Sequence, residues 1–239
     1  MLATLILFAC ATSDPDTSPG DTFAEGSIWD AFSENVTVYA DGDDMVLESN
    51  GYPDHTTPYW GPDHELYVEP TVTTTERMTP GYIERFVGTY TLTVPANPEK
   101  ASNSSTTSLG PIGFAVSGSM IYNDREGGNE PIDNAAPGLD YTGAHTGPTS
   151  YHYHIETKAW SEDDDALIGV IADGFFLYGR KCNSTGGYPD DLDESAGHTA
   201  TTQYNADPIY HYHIANEAYL DQYYLLFSGD YQGTPAAIQ

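Results

Sequence analysis

Two tetrapeptides of identical sequence, Tyr151-His152-Tyr153-His154 and Tyr210-His211-Tyr212-His213, constrain the architecture of this chain more than any other feature. Strict alternation of two side-chain types suits an extended strand, whose successive residues face opposite sides. With 19 tyrosines and 8 histidines among 239 residues, composition produces two such copies only about once in 10⁶ chains, so the pair marks an internal duplication.

The duplication extends upstream. Pro111–Tyr122 and Leu167–Tyr178 align without gaps at an offset of 56 (168 − 112), matching Ile112 with Ile168, Gly113 with Gly169, Gly118 with Gly174 and Tyr122 with Tyr178. Asp173-Gly174 lies between apolar runs, and Ser117-Gly118 takes the same place in the first copy. Such dipeptides favour tight hairpin turns, so each unit is expected to open with a β-hairpin. Beside that turn role, Asp173 is a candidate ligand or catalytic carboxylate. Each unit, about 110–157 and 166–216, then carries one lone histidine, His145 or His198, before its His-x-His pair.

Residues i and i+2 of a strand share a face roughly 6.6 Å apart, close enough for two imidazoles to lean onto one ion. Zinc and copper both accept histidine nitrogen, and a third imidazole completes a set with one position open. His145, His152 and His154 make one candidate triad, and His198, His211 and His213 the other. Two sites, one dinuclear site and one shared site all fit this spacing. In a purely structural arrangement, tyrosines pack on one face of the strand while the histidines are hydrogen-bonded or solvated on the other. Tyr153 and Tyr212 are candidate acid/base partners, although tyrosines beside such a site more often pack or hydrogen-bond a ligand.

The charge balance of 7 basic against 36 acidic residues gives −29 at pH 7 and argues against nucleic acid, whose phosphates need a basic surface. Asp41-Gly42-Asp43-Asp44 and Glu162-Asp163-Asp164-Asp165 are acidic enough for weak calcium binding, but neither follows a calcium-loop spacing and both read as solvated turns. The first residues, 1–10, resemble a signal with a lipobox, Leu7-Phe8-Ala9-Cys10, in which Cys10 would be lipidated. This run is too short to span a membrane, so membrane attachment is expected only through the lipid. Residues 11–27, rich in Thr, Ser, Pro, Asp and Gly, read as a flexible linker. With Cys10 committed to lipid or lost with the signal, Cys182 is the one remaining thiol, with only Arg180 and Lys181 nearby to activate it.

Residues 28–239 are long enough for one domain and show no linker-like break. Runs such as Val36–Tyr39, Glu65–Val68, Thr89–Val94 and Tyr223–Phe227 predict further strands. Residues 97–108 and 123–136 read as surface loops. The expected fold is mostly β: a single domain with an internal pseudo-duplication of hairpin plus His-x-His strand units and few short helices.

From Ser49 to about Gly229 the chain resembles the YHYH-domain proteins of bacteria and some eukaryotes. The resemblance is carried by Ser49-Asn50-Gly51-Tyr52-Pro53-Asp54-His55, Gly110-Pro111-Ile112-Gly113, both tetrapeptides, Asp173–Gly179 and Leu192–His198. It implies an extracytoplasmic domain and adds His55 as a further candidate metal ligand, with His64 a weaker one. Family members usually carry a cysteine before each lone histidine, where this chain has Thr142 and Ser195.

The expected function is an exported, cell-envelope metal-binding protein with a multi-histidine zinc or copper site. As a metalloenzyme it would activate water or oxygen for an unidentified small-molecule substrate. The alternative is a non-catalytic surface module that sequesters or delivers metal, or binds glycan through its tyrosines. No Gly-x-Ser-x-Gly elbow, phosphate loop or dinucleotide fingerprint is present.

Overall fold

The computed structural model describes residues 26–70, 78, 81–86, 88–147, 149–158 and 163–239. Cys10, the lipobox, nearly all of the 11–27 segment and Glu162 lie outside them. The described residues form thirteen short strands and four 3-10 helices, so the mostly β expectation holds. Alternating β-branched and aromatic residues build a three-stranded antiparallel sheet from β1 (Val36–Asp41), β2 (Asp44–Ser49) and β3 (Tyr90–Pro95). The acidic Asp41–Asp44 run is the tight turn between β1 and β2, in keeping with its reading as a turn.

The duplicated region forms β4 (Gly113–Ala115), β5 (Met120–Ile121), β6 (Arg125–Glu126), β7 (Glu130–Pro131), β8 (Ala144–Thr146), β9 (Tyr151–Tyr153), β10 (Leu167–Ile171), β11 (Phe176–Tyr178), β12 (Gly197–Ala200) and β13 (Ile209–His213). Eight of these make one sheet in the order β12-β13-β11-β10-β4-β5-β9-β8, while β6 and β7 pair as a separate hairpin. Both predicted hairpins form, β4–β5 turning at Gly118 (φ 107°) and β10–β11 at Gly174 (φ 90°). In each repeat the second hairpin strand pairs parallel with the tetrapeptide strand, which pairs antiparallel with the lone-histidine strand.

The two halves meet where β4 pairs antiparallel with β10. Phe114 lies opposite Val170, its own equivalent under the offset of 56 (170 − 114), and Gly113 and Gly169 lie opposite Ile171 and Ala115. This register places a local two-fold axis at the seam. A Cβ on Gly113 or Gly169 would come within 3.0 Å of the Val170 or Phe114 carbonyl oxygen respectively. Glycine at both equivalent positions is therefore what lets the halves approach this closely.

The tyrosine faces of both tetrapeptides turn into the main core. Tyr151, Tyr153 and Tyr212 pack there with Leu47, Leu92 and Val94 of the three-stranded sheet and with Phe114, Ile121, Val170 and Leu177 of the larger one. Each buried ring contributes a large apolar area, provided its hydroxyl is hydrogen-bonded.

Two expected strands do not form. Residues 65–68 contribute only an isolated bridge from Tyr67 to Thr57, and residues 223–227 only bridges through Tyr223 and Leu225. These runs are apolar without flanking chain to pair along, so packing rather than a ladder absorbs them. The segment 123–136 is more ordered than a loop, carrying the β6–β7 hairpin and a 3-10 turn at Ile132–Asn134.

Candidate metal centres

Alternation along β9 and β13 sends the histidines to the face opposite the buried tyrosines. The lone histidine joins them because β8 sets His145 directly across from His152, and β12 sets His198 across from His211. The predicted triads thus assemble as His145, His152, His154 and as His198, His211, His213, the second joined by Cys182. Within each group, one donor atom per residue lies within 4.8 Å of the others.

The triads occupy separate ends of the sheet. Four strands, β5, β4, β10 and β11, lie between β9 and β13, a path of roughly 24 Å along the sheet at 4.8 Å per step. Of the arrangements left open by the spacing, the geometry is that of two separate clusters.

Hydrogen bonds to the outer ring nitrogens fix the tautomers. Nδ1 of His213 is 2.6 Å from the Gly179 carbonyl oxygen and Nδ1 of His211 is 3.0 Å from that of Ile209. Nδ1 of His198 is 2.8 Å from the Asp191 carboxylate. In the first cluster Nδ1 of His154 reaches the Asn123 carbonyl (2.7 Å) and that of His152 the Ser150 carbonyl (3.2 Å). Carbonyls and carboxylates only accept, so these Nδ1 atoms must carry the proton, leaving Nε2 as a bare lone pair in the neutral ring. The Nε2 atoms of His211 and His213 are 3.1 Å apart, and those of His213 and His198 are 3.2 Å apart. Three converging lone pairs repel one another unless a cation lies between them. Nitrogens held 2.0–2.1 Å from a tetrahedral ion would be about 3.3 Å apart, so the donor set fits a metal.

The first cluster adds a carboxylate. Glu126 Oε1 is 3.2 Å from His145 Nε2 and 3.4 Å from His154 Nε2. Burial raises its pKa, but the hydrogen bond and charge of His145 and the charge of His154 outweigh this and hold it below the usual glutamate value. A cavity of about 530 Å³ ends on the three histidines and Glu126, with Leu109, Pro111, Tyr122 and Arg125 also on its wall. The Tyr122 ring stacks on His152 at 3.7 Å.

Several sequence candidates fall elsewhere. Tyr153 donates to or accepts from Ser117 Oγ (2.8 Å) and lies 2.6 Å from His55 Nε2, on the core face. Tyr212 donates to Asp173 Oδ2 (2.5 Å), which also accepts from the backbone amides of Gln232 and Gly233. Strand alternation therefore turns Tyr153 and Tyr212 away from the triads, Asp173 in the β10–β11 turn stays with Tyr212, and all three brace the core instead of facing a metal there. His55 is likewise grouped with Tyr153 and not with either triad. His64 stacks on Trp60.

Two structural aspartates escaped the sequence reading. Asp140 Oδ1 accepts from the amides of Thr142 (2.8 Å) and Ala144 (3.2 Å), and its other oxygen accepts from Tyr151 (2.6 Å). Asp193 does the same for Ser195, Gly197 and Tyr210. Each pins the turn that launches a lone-histidine strand and ties it to the first tyrosine of the tetrapeptide. Their spacing, 193 − 140 = 53, equals that of His198 and His145, and is the signal that would have revealed them. Thr142 and Ser195 belong to these turns.

Burial, assisted by neighbouring imidazoles, lowers His154, His211 and His213 from 6.5 to about 4. In metal-free protein below pH 6.5 the unfolded chain binds protons that these folded sites refuse. Stability is then complete above 6.5 and is lost as pH falls toward 4, by about 1.4 kcal/mol per pH unit for each such histidine. Urea unfolding of metal-free protein between pH 7 and 5 should show this slope, reduced by about one histidine's share in His154→Gln. A flat profile would contradict the burial of neutral rings.

Residues 91–187 match the model of the family described as YHYH protein. No curated protein and no solved structure matches the chain. The matched segment contains the seam, the first triad with Glu126, the second hairpin and Cys182, and this match supports the resemblance of residues 91–187 to the YHYH family.

Proposed function

We propose that this is a metal-binding protein whose working centre is formed by His145, His152 and His154, with Glu126 as the proton-accepting group beside it. The reading is carried by one observation: a cavity of about 530 Å³ ends on three buried imidazoles and a carboxylate. Three histidines leave a coordination position free for water or substrate, whereas a closed set of four would not. A zinc ion bound there would supply a water with pKa near 7, and copper would supply redox chemistry. Glu126, whose Oε1 is 3.2 Å from His145 Nε2 and 3.4 Å from His154 Nε2, would accept the proton of such a water. Tyr122 orients His152 by stacking, and the Asn123 and Ser150 carbonyls hold the tautomers of His154 and His152. Leu109, Pro111 and Tyr122 give the cavity an apolar wall, and the charge of Arg125 beside it is offset by Asp124 at 3.6 Å. This favours a small, partly apolar substrate such as an ester. Export to the cell envelope on a lipidated Cys10 belongs to the same proposal, since an extracytoplasmic protein would meet such substrates outside the cell.

Protein purified without chelator should contain two equivalents of zinc or copper by elemental analysis. With p-nitrophenyl acetate as probe, chelation should abolish hydrolysis and zinc should restore it. Glu126→Gln should retain metal but lose about 100-fold or more of the rate, as expected for a general base. Metal without turnover on this probe would favour the storage or delivery reading. Protein that takes up no metal under any loading condition would remove both.

A further inference from the structure

The second cluster differs from the first at one place, and the repeat itself locates it. The offset of 56 that pairs Tyr122 with Tyr178 continues beyond them. It pairs Asn123 with Gly179, whose carbonyls hold Nδ1 of His154 and His213, and four residues past the tyrosines it pairs Glu126 with Cys182 (182 − 126). Glu126 stands against the first triad. Cys182 stands against the second, its sulfur within 4.8 Å of all three imidazole donors. Duplication has thus placed a polar side chain at the same position in both halves, a carboxylate beside the first triad and, in the second, a thiol close enough to all three imidazoles to join them as a ligand.

The surroundings of Cys182 suit a fixed ligand. Its side chain is fully buried, and its backbone is pinned by Cys182 N to Gly187 O (2.9 Å) and Gly186 N to Cys182 O (2.9 Å). Its sulfur lies 3.1 Å from Ser184 Oγ, a hydroxyl able to donate to a thiolate. The three facing Nε2 atoms have no proton to offer one another, because each Nδ1 is already committed to a carbonyl or carboxylate.

We propose that Cys182, His198, His211 and His213 form a second metal centre of closed, four-ligand character that holds zinc permanently and does no chemistry on substrate. The inference rests on the metal reading of the triads. When the ion binds, the S–H bond of Cys182 is replaced by a sulfur–metal bond and the proton leaves to solvent, with no change of oxidation state. A thiolate with three imidazoles selects a borderline or soft ion and leaves no position for water. The two halves would then have divided the labour, one centre open and the other bracing the distant edge of the same sheet.

Cobalt(II) titration of the metal-free full-length protein tests this. Two equivalents should bind, one of them giving a near-ultraviolet thiolate-to-cobalt charge-transfer band. Cys182→Ser should delete that band, leave one cobalt at the first centre and weaken zinc retention at the second by more than about 100-fold, beyond the loss of an outer hydrogen-bond partner. Cys10→Ser should keep the band. The wild-type spectrum alone decides the matter if the Cys182 variant fails to fold. Two bound cobalt ions without a charge-transfer band overturn the thiolate centre and leave the histidine reading intact, whereas no cobalt uptake overturns both.

Discussion

Gly169→Ala is expected to unfold the protein or cost it about 3 kcal/mol or more, well beyond the effect of an ordinary surface substitution. The added methyl would point at the Phe114 carbonyl oxygen, with the Phe114 carbonyl carbon and the Ala115 Cα also inside 3.0 Å. None of these atoms is the end of a flexible side chain, so relief requires β4 and β10 to separate at the centre of the larger sheet. Gly113→Ala meets the Val170 carbonyl in the same way, and the local two-fold predicts a loss of similar size. Gly187→Ala, whose methyl has nothing within 4 Å, should change stability by less than about 0.5 kcal/mol. Urea denaturation of the three variants measures the differences. A Gly169→Ala protein as stable as wild type would show that the two repeats do not meet along this seam.

The second large effect concerns metal content. His152→Ala should remove one of the two ions and leave the other untouched, and His211→Ala should do the reverse. Losing one of three imidazoles should weaken its own centre by more than about 100-fold, exceeding what removal of an outer hydrogen-bond partner costs. Because four strands separate β9 from β13, the losses should add, and the double variant should be metal-free. Equal partial loss of both ions in each single variant would instead mean one shared site, against the strand order.

The triads were legible because a strand period of two leaves little choice: residues i and i+2 share a face, and a duplicated lone histidine supplies the third donor. The hairpin turns were legible from Ser117-Gly118 and Asp173-Gly174 for a similarly local reason. The same alternation should have ruled out Tyr153 and Tyr212 as acid/base partners, since it sends them to the core face, where Ser117 and Asp173 receive their hydroxyls. Glu126 was hidden inside a segment read as a loop, although the gapless offset reaches it from Tyr122. What no local pattern could give was strand order. Whether the triads converge or part depends on β4 and β10 pairing with each other at the middle of the sheet, a contact between residues 56 apart (170 − 114) that leaves no periodic trace beyond two glycines. The runs at 65–68 and 223–227 misled because apolar content measures burial and not the presence of a neighbouring ladder.

The self-matching register of β4 against β10 has a consequence for ancestry. A polypeptide carrying one repeat alone would expose a free edge whose donors and acceptors complement those of an identical edge turned through 180 degrees, the arrangement of an isologous homodimer. The present chain holds that pairing of two repeats within a single polypeptide. Within one polypeptide each repeat is free to change independently, and a carboxylate in one and a thiol in the other is a divergence that two copies of a single gene product could not have made.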